Sequence, residues 1–92
     1  METKRLDFTL YGNVQGILLR DFVKNKAKEL DLVGYIENKS NGTVHIIAEG
    51  EVKMLDILID RIRSRTSNDQ KIEDSIISFG TASGEFDEFK KK

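Results

Sequence analysis

The chain has 92 residues, a formal charge of −1 with 34% charged residues, no cysteine, and one histidine, His45. That length suggests one domain over residues 1–92 with a thin core, and the missing cysteines exclude a disulfide framework or a thiolate metal site, while one imidazole cannot build a zinc site. Interleaved charges argue against nucleic-acid capture, no apolar run approaches the roughly 20 residues of a membrane helix, and METKRLDF lacks a signal peptide's apolar stretch, so a cytoplasmic monomer away from membranes is expected.

Leu6, Phe8 and Leu10 alternate with Asp7 and Thr9, which predicts a half-buried strand. Residues 19–32 follow with Leu19, Phe22, Val23, Ala27 and Leu30 at helical steps. VGYIEN (33–38) and TVHIIAE (43–49) read as two strands joined by a turn rich in Asn and Gly. Leu55, Leu58, Ile59 and Ile62 form the stripe of a second helix, which SRTSNDQ ends. Residues 71–79 predict a fourth strand of imperfect alternation, and GTASGE leads to a short last segment, FDEF. The order is β-α-β-β-α-β with a possible fifth strand. Both helical stripes need burial, so the expected class is α+β: a ferredoxin-like βαββαβ sandwich. Its antiparallel sheet of four to five strands carries both helices on one face.

The first strand-to-helix junction, YGNVQGILLRDF (11–22), places Gly12 and Gly16 ahead of Arg20. Glycines there can serve turn geometry alone. They can equally make an anion cradle. A helix start leaves about four backbone N–H groups without intrahelical partners, and its dipole favours an anion. Arg20 would add a permanent charge and a planar fork of donors. Spacing alone leaves both readings open. The dinucleotide and P-loop fingerprints are absent.

GNVQGILLR resembles the first acylphosphatase signature, Gly-x-Val-Gln-Gly-Val-x-aromatic-Arg. GYIENKSNGTVHIIAEG (34–50) is similar to the family's second, with Gly34, Tyr35, Asn38, Gly42, Val44 and Gly50 in step. The resemblance extends over nearly the whole chain and implies hydrolysis of acyl phosphates to carboxylate and inorganic phosphate. It implies a phosphate loop of Gln15, Gly16, Ile17, Leu18, Leu19 and Arg20 that binds phosphate or sulfate through backbone amides. It further implies Arg20 as the essential cation and Asn38 as the residue orienting the attacking water, with no metal, cofactor or covalent intermediate.

Three residues depart from the pattern: Leu19 replaces an aromatic, Glu37 a frequent basic residue and Asn41 a frequent aspartate. Leu19 reads as a core swap. Glu37 should face away from Asn38, because neighbouring strand residues point to opposite faces. Asn41 suits a turn. The altered loop interior, Leu18-Leu19, together with Glu37 motivates an alternative, a non-catalytic phosphate-binding or regulatory module on the same fold. RNA recognition is disfavoured because TVHIIAE offers no aromatic for stacking. His45 reads as a sheet-surface histidine and Tyr35 as a packing residue, while Ser40 and Thr43 are expected to support the turn after Asn38.

Overall fold

The computed structural model describes residues 2–15, 17–65 and 72–92. The elements run β1 (Thr3–Gly12), α1 (Ile17–Glu29), β2 (Val33–Asn38), β3 (Val44–Glu51), α2 (Val52–Arg65), β4 (Ile72–Gly80) and β5 (Phe89–Lys91). The sheet order is β4-β1-β3-β2-β5. The first four strands pair antiparallel, and β5 adds a parallel pairing to β2, so the sheet is mixed.

The alternation along β1 sorts its residues as expected. Leu6, Phe8 and Leu10 are fully buried in one core with Val44, Ile46 and Ala48 of β3 and Ile36 of β2. Val23 and Ala27 of α1 join that cluster, as do Leu55, Leu58, Ile59 and Ile62 of α2. Both helices therefore cover the same face of the sheet. Each Val, Leu, Ile or Phe side chain in this core contributes about 1.5–3 kcal/mol on burial.

α1 ends earlier than the apolar spacing suggests. The Leu32 amide donates to the Ala27 carbonyl at 2.8 Å and the Asp31 amide to Lys28 at 3.1 Å, with Asp31 at φ 57°. This is a Schellman closure, and aspartate tolerates its left-handed position better than most residues. Leu30 and Leu32 thus pack from the turn, outside the helix.

β4 lies at one edge of the sheet and β5 at the other. Residues 81–88 must therefore cross the sheet on the face the helices leave open. Glu49 of β3 anchors that strap. Its carboxylate accepts from the Ser83 amide and hydroxyl, both at 2.9 Å, and from the Gly84 amide at 3.1 Å. Arg5 lies 3.6 Å from it. Phe86 then meets Tyr35 edge-on, and the Gly34 amide donates to the Glu88 carbonyl at 3.0 Å.

Burial alone would raise the Glu49 pKa. The Ser83 and Gly84 donors and the Arg5 charge outweigh it and hold the carboxyl below the usual glutamate range. A folded value below the unfolded one contributes stability that is present above the ordinary titration near pH 4.5 and is lost as pH falls through the lowered value. Glu49→Gln should cost about 1–3 kcal/mol at neutral pH. Urea unfolding at pH 7 and below pH 4 should show the difference between wild type and variant shrinking in acid.

Gly34 carries a steric constraint. Its φ is +140°, and an added Cβ would lie 1.9 Å from the Ile47 carbonyl oxygen of the adjoining strand. Gly34→Ala must push β2 away from β3, and a loss of about 3 kcal/mol is expected in a urea titration.

Candidate active site

β1 closes with an irregularity that aims the chain toward α1. The β1–β4 register shifts between Tyr11 and Gly12, and Gly12 has φ 117°. Such a bend at a strand end redirects the segment beyond it. Val14, fully buried, then wedges the connecting loop into the core. Gln15 ends the described part of the loop, Gly16 lies outside the described residues, and Ile17 opens α1.

The start of α1 presents amides that no preceding helical turn can pair. Its first turn holds no acidic residue that would neutralise the positive end of the dipole. Leu19, at 1% exposure, pins the helix to the core. The residue at the aromatic position of the motif thus keeps its packing role. Leu18, at 68% exposure, points to solvent and plays no part in that packing.

Arg20 is half-buried on α1. Its Nη1 donates to the Lys92 main-chain oxygen at 3.0 Å, and the Lys92 amide donates to the Ile36 carbonyl at 2.8 Å. Arg20 is thereby held against β2, two residues before Asn38. Asn38 ends β2 opposite Val44, on the same side of the sheet as Ile36 and the helices. The loop reaches the same strand end: Gln15 Nε2 donates to the Lys39 carbonyl at 2.7 Å and to the Thr43 carbonyl at 3.0 Å. Loop, helix start, Arg20 and Asn38 therefore converge on one end of β2.

Two polar atoms at this convergence lack partners among the described residues. Arg20 Nε and Asn38 Oδ1 are both buried and make no hydrogen bond to any of them. Buried donors and acceptors are nearly always satisfied, so such exceptions call for a reason. A cation's donor and an amide oxygen are the two functions an anion and a water molecule would use.

Nearby carboxylates are offset by lysines. Glu37 pairs with Lys39 at 3.1 Å, and its register partner is His45, which places it on the sheet face away from Asn38. Asp21, one residue beyond Arg20, pairs with Lys91. The Lys91 hydrogen bond holds its carboxyl below the usual range, against a smaller upward push from desolvation. Neither carboxylate leaves a bare negative charge against the site.

Asn41 and Thr43 hold the turn after Asn38. Asn41 Oδ1 accepts from the Thr43 amide at 3.1 Å and its hydroxyl at 2.7 Å, an Asx turn. His45 lies on the open face, with Nε2 2.8 Å from Asp7 Oδ1 and its ring edge-on to Tyr35. A recess of about 270 Å³ by Tyr35, Phe86 and Glu88 is lined partly by acidic residues of the 81–88 strap, unlike the strand end that gathers Arg20 and Asn38. Sequence reasoning missed Lys91 and Lys92, whose contacts with Asp21 and Arg20 follow from β5 pairing in parallel beside β2.

Known proteins match this chain over nearly all of it. The family model described as Acylphosphatase matches residues 6–91. A protein named acylphosphatase from Salinibacter ruber is 33% identical, covering 98% of this chain and 97% of its own. The crystal structure of acylphosphatase from Bacillus subtilis superposes with a TM-score of 0.88 at 25% identity, covering 97% and 98% of the two chains. An acylphosphatase structure from Coxiella burnetii gives 0.85 at 26% identity, covering 98% of this chain and 93% of that one.

Proposed function

The chain belongs to the acylphosphatase family, and from that premise we propose how its own residues hydrolyse an acyl phosphate. It is an enzyme acting on the carboxyl–phosphate bond. The phosphate sits at the start of α1, against the backbone amides of residues 15–20, with Arg20 beside it. Asn38 accepts a hydrogen bond from the attacking water through Oδ1 and so aims the water oxygen at phosphorus. The new P–O bond forms as the bond to the carboxylate oxygen breaks. The carboxylate leaves with the electron pair, and the water's protons pass to phosphate and solvent.

This chemistry asks little of a general base. A carboxylate is a good leaving group, and phosphoryl transfer is governed by positioning and charge stabilisation. Arg20 offers fixed donors to the equatorial oxygens, and the amides add theirs without reorganising. The observation that carries the proposal is the pair of buried atoms without a partner among the described residues, Arg20 Nε and Asn38 Oδ1, at one strand end. The binding-only alternative drew on Leu18, Leu19 and Glu37; Leu19 is absorbed in the core, Leu18 points to solvent, and Glu37 pairs with Lys39 on the opposite face.

Calorimetry with inorganic phosphate, run beside a benzoyl phosphate hydrolysis assay, separates the two readings. Binding and turnover together are expected. Phosphate binding without turnover would replace hydrolysis with a binding module, and absence of both would remove the anion site.

A further inference from the structure

We propose that the Gln15 side chain is a positioning residue that sets the distance between the phosphate loop and Asn38. The inference rests on the hydrolase reading and extends it to a group that touches neither phosphate nor water. Gln15 Nε2 reaches the Lys39 carbonyl at 2.7 Å and the Thr43 carbonyl at 3.0 Å, across 24 and 28 residues of chain. Both partners are carbonyl oxygens, so the group facing them must be the NH₂ end of the amide. Each of its two protons has an acceptor.

The places where it binds matter. Asn38 and Val44 face each other as register partners, and Lys39 and Thr43 are the next residues on either side of the turn. The Lys39 amide donates to the Thr43 carbonyl at 2.8 Å, and the Gly42 amide donates to the Lys39 carbonyl at 3.1 Å. Each carbonyl therefore gives one lone pair to the turn and the second to Gln15. One side chain from the loop thus clamps both strands of the hairpin immediately beyond Asn38.

The loop and the hairpin are separate segments holding separate parts of the reaction. The loop and Arg20 hold the phosphate, while the end of β2 holds the residue that aims water. Packing of Val14 and Leu19 fixes the loop to the core, and strand pairing fixes Asn38. Gln15 is a polar tie between the two at the site itself. Without it each half persists, and their mutual distance loosens. In-line attack is sensitive to such loosening, since a misplacement of about 1 Å can cost about 100-fold in rate.

The test is Gln15→Ala against wild type, with Asn38→Ala as control. For Gln15→Ala, kcat for benzoyl phosphate is expected to fall about tenfold or more, while the inhibition constant of inorganic phosphate stays put. Gln15→Glu places a carboxylate with no donor against two carbonyls. Its kcat relative to wild type should rise as pH drops, because the protonated acid regains one donor. Phosphate titration followed by NMR should shift the Asn38 side-chain amide signal in wild type and much less in Gln15→Ala. Unchanged kcat in Gln15→Ala overturns the inference and leaves hydrolysis standing. So does a parallel loss of kcat, phosphate affinity and melting temperature, which marks a purely structural role. Wild type that turns nothing over, yet shows the NMR coupling and its loss in Gln15→Ala, sinks the hydrolase reading and supports the clamp.

Discussion

Arg20→Ala is expected to lower kcat/KM for an acyl phosphate by about 1,000-fold or more, the scale on which a transition-state arginine acts in phosphoryl transfer. Arg20 is the cation held at the end of β2, with Nη1 anchored on Lys92 and a buried Nε without a partner among the described residues. In the proposed mechanism its loss removes charge and donors from both the bound phosphate and the transition state, so KM should rise as kcat falls. Arg20→Lys keeps the charge and loses the fork. It should restore part of the phosphate affinity and little of the rate. Neither change touches the core cluster, so circular dichroism and melting temperature should match wild type. Arg20→Ala with normal kcat/KM would remove the arginine from the mechanism.

Asn38→Ala should separate binding from chemistry. The Oδ1 atom is buried and without a partner among the described residues, and its proposed partner is the water. Removing it should cut kcat by about 100- to 1,000-fold, as for loss of one well-placed polar contact in a transition state. Phosphate affinity should hold, because the loop and Arg20 remain. Asn38→Asp is nearly isosteric but brings a negative charge against the dianion, so it should weaken phosphate binding that Asn38→Ala spares. Stopped-flow hydrolysis with phosphate as competitive inhibitor reads both quantities. Hydrolysis in ¹⁸O-water adds the bond cleaved: the label should appear in phosphate and not in the carboxylate.

These expectations depend on parts of the molecule that differ in how openly the sequence displays them. β1 and the α2 stripe are legible because their signals are local: alternation at Leu6, Phe8 and Leu10, and helical steps from Leu55 to Ile62. The end of α1 is not, since no glycine marks it and Asp31 takes the left-handed position. β5 was foreshadowed only by Phe89, the last residue of FDEF; its partner lies in β2, far back in the chain, and two lysines complete it. The imperfect alternation of β4 reflects an edge strand, with Ile76 and Phe79 exposed and Ile77 packed on the core. The Glu49 strap leaves no trace in local pattern, because a buried carboxylate on a strand looks like any polar position of an alternating run.

The site divides the same way. Arg20 and Asn38 stand in motifs whose resemblance to a family could be read directly. Gln15 stands in the same motif, but its side chain binds main-chain carbonyls of Lys39 and Thr43, and a carbonyl has no residue-type signature. The Arg20 contact is hidden likewise, since it is made to the main chain of Lys92. Glu37 stands where the family often has a basic residue. Strand alternation placed it on the other face, and Lys39 pairs with it there.

The central claim is that one strand end, holding Arg20 and Asn38, catalyses hydrolysis of acyl phosphates. The initial rate of benzoyl phosphate consumption by wild type, set beside the Arg20→Ala, Asn38→Ala double variant at equal concentration, tests it most directly. The expected result is rapid turnover by wild type and a rate near the uncatalysed background for the folded double variant. A wild-type rate no faster than that of the double variant would contradict the claim.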